Sequence, residues 1–294
     1  MAKLEAQIPW NYADAPRFAP MSPAGAALLH ARLYLARITQ PRAIWPYLLL
    51  IGLAAAGGLG LARWSLINAQ ALQTYVNGYA LRGLALCALG LGVAAIRADT
   101  DGGALGYYLL RPRAHFALPL GRWLATSLAT AALGLGLIAA ITLAAMGTPL
   151  HFDSALLMRM LVGVLLSAAV YPAIFMLIAL FFRNASAMGL GWLVVFDLLF
   201  PQLADSFSVG TTIALLSPSH HLTQLIDGVY PDIAQNGAQL ANLAAKFMHT
   251  GGGAMLPDPY NAWIVPIKIL ILLGMTALVL AACLWRFSRD PPQT

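Results

Sequence analysis

The sequence predicts an all-α integral membrane protein: six transmembrane helices, an N-terminal amphipathic helix on the membrane interface, and both termini in the cytoplasm. Three observations predict it. Sixty per cent of the 294 residues are hydrophobic, only 10% are charged, and the mean hydropathy is +0.74. A soluble domain carries roughly a quarter charged residues, so this chain lacks the charge to cover itself with a water-facing surface. Its apolar residues fall in runs of spanning length, and its basic residues cluster on alternate connections between them.

A spanning helix needs about 20 predominantly apolar residues. Six segments meet that length or nearly so: 44–62, 75–96, 119–146, 155–182, 187–204 and 262–286. The third and fourth exceed the bilayer thickness and are expected to tilt or protrude. The fifth is short, ends near Pro201, and reads as broken or partly re-entrant. Pro9, Pro16, Pro20 and Pro23 interrupt the N-terminal residues before any apolar core, so the first apolar run is expected to act as a permanent anchor rather than a cleaved leader.

The organisation that follows has three parts. Residues 1–43 form a cytoplasmic tail and an amphipathic elbow helix, 44–286 the transmembrane domain, and 287–294 a second cytoplasmic tail. In the elbow segment 22–42, Leu28, Leu29, Leu33 and Ile38 fall near one helical face, with Arg32, Arg37 and Arg42 set to meet the cytoplasmic leaflet. Two connections are long enough to matter, the cytoplasmic loop 97–118 and the extracytoplasmic region 205–261. Within the latter, 233–248 carries an apolar stripe at Leu240, Leu243 and Phe247.

Orientation rests on lysine and arginine. Placing the N-terminus inside leaves Lys3, Arg17, Arg32, Arg37, Arg42, Arg97, Arg111, Arg113, Arg122, Arg183, Arg286 and Arg289 on the cytoplasmic side, against Arg63 and Lys246 outside. Trp45, Trp64, Trp123, Trp192, Trp263 and Trp285 all lie close to predicted span ends, the level indole rings prefer. The net charge of +6 is therefore a topology signal, and no nucleic-acid partner is expected. Cys87 and Cys283 lie inside apolar runs and read as small packing residues.

A search for catalytic groups finds little. There is no G-x-S-x-G, no H-E-x-x-H and no phosphate-binding G-x-x-x-x-G-K-[ST], and Glu5 is the sole glutamate. No catalytic, metal or cofactor residues are assigned, and any ATP would be bound by a different polypeptide. His220 and His221 are neighbours and diverge on any regular backbone. With His151 and His249 they match no zinc spacing, and they read as surface residues flanking Pro218. Arg159 and Lys268 lie close enough to the outer span ends to snorkel. Arg82, roughly 10 Å below the outer surface at 1.5 Å per residue, and Asp197, near mid-depth, are the costly intramembrane polar groups. They are expected to face the bundle interior, either as a structural ion pair or lining a substrate path.

The second connection reads R-A-D-T-D-G-G-A-L-G-Y-Y-L-L-R-P-R-A-H-F-A-L-P-L-G-R-W-L. It resembles the segment of ABC-2 type transporter permeases in which an acidic stretch and glycine precede a Leu-rich turn, a basic-Pro pair and a Gly-Lys-like return to the membrane. Asp99 and Asp101 match the acidic positions, Gly102 and Gly103 the glycine, Arg111-Pro112-Arg113 the basic-Pro part and Gly121-Arg122 the return step. The family's usual glutamates are missing here. L-L-S-P-S-H-H-L-T-Q-L-I-D-G-V-Y (residues 215–230) is similar to a Ser-Pro-x-x-His stretch in the branch that includes permeases for gliding motility and nitrous oxide reductase maturation.

The resemblance implies a dimeric permease, homo- or heterodimeric, in a bacterial cytoplasmic membrane. A separate ABC ATPase subunit would dock on the elbow helix and the 97–118 loop, with Asp99, Asp101, Gly102, Gly103, Arg111, Pro112 and Arg113 coupling its closure to the spans. An extracytoplasmic protein partner could meet the 205–261 region. The competing readings are a scaffold subunit that transports nothing, and an intramembrane lipid-modifying enzyme.

Overall fold

The computed structural model describes residues 22–63, 81–100, 114–145, 154–199, 217–227 and 259–289. Among these every regular element is helical. In chain order they are α1 (Pro23–Ile38), α2 (Pro41–Arg63), α3 (Leu81–Thr100), α4 (Ala114–Ala145), α5 (Ser154–Phe181), α6 (Ala185–Trp192), α7 (Pro218–Asp227) and α8 (Pro259–Arg289), with α6 continuing as a π-helix over Leu193–Leu199.

Five of the helices contain stretches long and apolar enough to cross a membrane: Pro41–Gly60, Leu81–Ala98, Phe116–Leu143, Leu157–Phe181 and Pro266–Phe287. Each falls on a segment expected from hydropathy. The fifth expected segment, 187–204, behaves differently: the described apolar helix runs Ala185–Leu199 and is shorter than a full span. α4 and α5, at 32 and 28 residues, exceed the bilayer requirement as expected.

α5 is the centre of the bundle, with 72% of its span buried against 6% for α2 and 17% for α8. It packs on α3, α4, α6, α7 and α8. A helix apolar on all sides has no face to show water and takes the interior position. Close approach to α3 depends on a small residue. A Cβ at Gly92 would stand 3.0 Å from Phe175 Cβ and 3.2 Å from the Pro172 carbonyl oxygen. α2 and α8 stand at the periphery and present large apolar side chains outward, among them Leu53, Leu59, Leu270 and Leu278. That is the pattern of helices whose solvent is lipid.

One expectation needs correction. The elbow stripe is split: Ile38 is buried with Ala27, Ala31 and Tyr34, while Leu28, Leu29 and Leu33 point away from the protein. α1 packs on α4, and Ala27 and Ala31 let its backbone lie close to Gly121, where an added Cβ would stand 2.3 Å from the Ala27 carbonyl oxygen. The tryptophans also divide. Trp45 and Trp285 are exposed, whereas Trp123 donates Nε1–H to the Ala169 carbonyl at 3.0 Å and Trp192 stacks inside the bundle.

Candidate functional site

The residues expected to couple to an ATPase are Asp99, Asp101, Gly102, Gly103, Arg111, Pro112 and Arg113. Asp99 lies in the last turn of α3, and 101–113 lie outside the described residues. The helices claim both ends of the expected 97–118 loop, since α3 runs to Thr100 and α4 begins at Ala114. The two stems are therefore described, and a polar junction ties them together.

Arg122 is the centre of that junction. It is buried on α4 and donates through Nη1 to the Ala95 carbonyl of α3. Its guanidinium carbon also lies 5.9 Å from the centroid of the Tyr34 ring of α1, a cation–π distance. The Tyr34 hydroxyl donates to the Leu91 carbonyl of α3 at 3.1 Å. Leu91 and Ala95 are four apart and present their carbonyls on one side of α3, so α1 and α4 grip the same strip. Gly121 sets the spacing: a Cβ there would come within 2.3 Å of the Ala27 carbonyl oxygen and 2.8 Å of His30 Cβ. The sequence singles out Gly121-Arg122 as a return step on the cytoplasmic side; in the structure Arg122 is buried and clamps α3.

The same end of the bundle has two further arginine contacts. Arg97 donates to the carbonyl of Phe182, just past the end of α5, where helical carbonyls lack intrahelical donors. Arg286 of α8 lies 5.7 Å from the Phe181 ring centroid. Around Tyr34 and His30, burial opposes charge. The Tyr34 hydroxyl is pushed far above its ordinary range by desolvation, against the opposing pull of Arg122. His30 is pushed below 6.5, first by burial and then by the Arg122 charge.

Deeper in the bundle lies a second polar cluster. Asp197 sits in the π-helix, where widened winding shifts the side-chain register and commonly marks functional positions. It is buried, and its Oδ1 accepts from the Ser217 hydroxyl at 2.9 Å and from the Ser219 backbone N–H at 3.3 Å. The Ser219 hydroxyl donates to the Asp197 carbonyl at 3.2 Å. The Ser217 hydroxyl also accepts from His220 N–H at 3.3 Å, which caps α7 with Pro218 at its first position. Asp197 thus occupies the N-terminal end of a ten-residue helix, where the backbone dipole and unsatisfied N–H groups favour a carboxylate. Its Oδ2 meets no donor at hydrogen-bonding geometry. The Tyr171 hydroxyl interacts with the carboxyl group but closes no well-formed bond on that oxygen. An aromatic column flanks the cluster: Tyr171 on Phe175, Phe175 edge-on to Trp192, and Trp192 stacked on Phe196.

Arg82 is not the partner of Asp197. It is exposed, and the contacts described for Asp197 come from Ser217, Ser219 and Tyr171. His221 is not a surface residue either and His220 is half-buried, while His151 and His249 lie outside the described residues. His221 is completely buried, and its Nδ1 lies 3.2 Å from Lys268 Nζ, so Lys268 turns inward rather than snorkelling. Among the described residues no group of three His, Cys, Asp or Glu could hold a metal. Tyr34, Tyr171, Ser217 and Ser219 were not anticipated. The Ser-Pro pair at 217–218 is a helix-start signal that places a cap there, but it does not reveal what the helix end faces.

This arrangement defines a multi-pass helical membrane protein with its polar groups gathered at one bundle end and in one internal cluster. The chain belongs to the ABC-2 family of transporter proteins, whose family model matches residues 47–291. It is accordingly a permease-type membrane component that serves transport and is not itself the catalyst. A comparison with curated proteins gives no match.

Proposed function

We propose that this chain is the transmembrane subunit of an ABC transporter, driven by ATP hydrolysed on a separate subunit that docks at the α3–α4 connection. The family match across 47–291 carries the reading. Both termini lie in the cytoplasm of a bacterium, α1 rests on the inner leaflet, and Ala185–Leu199 supplies the sixth crossing together with the residues that follow it. Two such chains, identical or different, complete the pathway. The Arg122 junction supports this reading physically. A push on the stems of the connection moves α1, α3 and α4 as one body, since all three share the Leu91–Ala95 strip. The first turn of α7 meets Asp197 deep in the bundle, which supports reading it as a re-entrant helix within the 205–261 region.

The test is a mild-detergent pull-down of the full chain from its native membrane, with mass spectrometry of what accompanies it. A co-purifying soluble protein with a Walker A motif, lost on replacing Arg111 and Arg113 by Gln, supports the reading. Recovery of a membrane complex without such a protein supports the scaffold reading instead.

A further inference from the structure

We propose that the outward face of α1 and the start of α2 form a docking site for anionic phospholipid of the inner leaflet. The proposal rests on the reading that α1 lies on that leaflet, and it adds a lipid-headgroup preference.

α1 is held on α4 by one face. Ala27, Ala31, Tyr34 and Ile38 are buried, and Gly121 lets the helix backbone sit directly on α4. The rotation of α1 is therefore fixed, and so is the face it turns away. That face carries Leu28, Leu29 and Leu33, which are 62%, 43% and 56% exposed. Arg32 and Arg37 are exposed beside them, followed across the short Thr39–Gln40 link by exposed Arg42 and by Trp45, 66% exposed. Residues three and four apart are neighbours on a helix, so Leu29, Arg32, Leu33 and Arg37 interleave along one surface. Leucines at that spacing enter the acyl boundary, while arginines bend back to phosphate level.

Charge complementarity selects the lipid. The sequence holds no acidic residue between Asp14 and Asp99, so α1 and α2 carry no carboxylate of their own beside Arg32 and Arg42. A zwitterionic headgroup brings its own cation to this basic face, whereas phosphatidylglycerol brings only the phosphate. Guanidinium groups bind phosphate oxygens in bidentate fashion. Near an anionic surface each basic residue favours binding by on the order of fivefold.

The experiment uses the purified full chain in two readouts. First, Leu33→Cys is labelled with an environment-sensitive fluorophore and reconstituted in phosphatidylcholine vesicles; native Cys87 and Cys283 are buried. A blue shift places the face in lipid. Its absence overturns the underlying reading and the proposal with it. Second, protein equilibrated with equal phosphatidylcholine and phosphatidylglycerol is delipidated, and the retained lipid is counted by mass spectrometry. The wild type is expected to enrich phosphatidylglycerol. The Arg32→Gln/Arg42→Gln variant should lose on the order of tenfold of that enrichment, while its melting midpoint in neutral detergent stays at the wild-type value. A blue shift with unchanged enrichment in the variant overturns the headgroup preference alone. Unchanged lipid with loss of a co-purifying ATPase assigns the face to the partner protein and also overturns it.

Discussion

Three glycines on α4 meet three different surroundings, and the same substitution at each should give three different outcomes. Around Gly136 nothing lies within 4 Å of a built Cβ. At Gly134 the Cβ would stand 2.5 Å from Val164 Cγ1 and 3.0 Å from Leu84 Cδ2, side-chain atoms that shift at less cost than backbone. At Gly121 it would stand 2.3 Å from the Ala27 carbonyl oxygen and 3.1 Å from the Ala31 nitrogen, both backbone atoms. Contacts below 3.0 Å are not seen for real Cβ atoms, so α1 must move off α4 by roughly 0.7 Å or more. Alanine gains about 1 kcal/mol of helix propensity over glycine at each position. Overpacking costs about 1–3 kcal/mol, toward the upper end where backbone must shift.

Gly136→Ala is therefore expected to stabilise the protein by up to about 1 kcal/mol. Gly134→Ala should lie near neutral, and Gly121→Ala should destabilise by about 1–2 kcal/mol net. The assay is denaturant or thermal unfolding of the full chain in one mild detergent, comparing the three variants on the same day and preparation. The order of the three matters more than any single value, because detergent effects shared by the set cancel. Gly121→Ala proving as stable as Gly136→Ala would refute the close α1–α4 approach and every argument built on it, including the fixed rotation of α1.

Other predictions concern the two polar clusters. Asp197→Asn keeps an acceptor for Ser217 and Ser219 and should cost about 1 kcal/mol or less, whereas Asp197→Ala strands both donors and should cost about 2–3 kcal/mol; equal losses in unfolding measurements would count against the capping role. Tyr34→Phe removes one buried hydroxyl bond but keeps the ring under Arg122, so a loss of about 1 kcal/mol is expected by the same measurement. His30 has its folded pKa depressed below 6.5, so the unfolded chain binds the proton more readily. Its contribution is fully present above 6.5 and is lost as pH falls below that value. His30→Gln should flatten the melting midpoint between about pH 7 and 5, and an unchanged slope would show that another group is responsible.

Much of the bundle was legible because span length is a local property. Apolar runs near 44–62, 75–96, 119–146, 155–182 and 262–286 coincide with the five helices long enough to cross a membrane, and no tertiary knowledge was needed to find them. What lay beyond the sequence was pairing. Asp197 was recognised as costly, but an arginine at similar depth suggested an ion pair. The structure instead answers the charge with a helix end made by Ser217, Pro218 and Ser219, distant in sequence and invisible to charge counting. His221 looked like a surface residue because it lies in a polar connection. It is buried because α7 packs back onto α5 and α8.

The stripe on α1 shows how a lipid solvent changes what an apolar face means. In water, the face with leucines is the face that packs, so periodicity points inward. In lipid, leucine gains little by leaving the solvent, and association depends on how closely backbones approach. Small residues then mark the contact and large apolar ones mark the exposed side. Ala27, Ala31 and Gly121 are silent on a hydropathy scale, yet they make the α1–α4 interface, while Leu28, Leu29 and Leu33 face outward. The same inversion places Gly92 against Pro172 and Phe175 at the α3–α5 crossing and leaves Leu270 and Leu278 on the rim. For this chain, then, a small residue with its neighbour's backbone within reach is the better guide to tertiary contact. By that criterion Gly121 sets how closely α1 sits on α4.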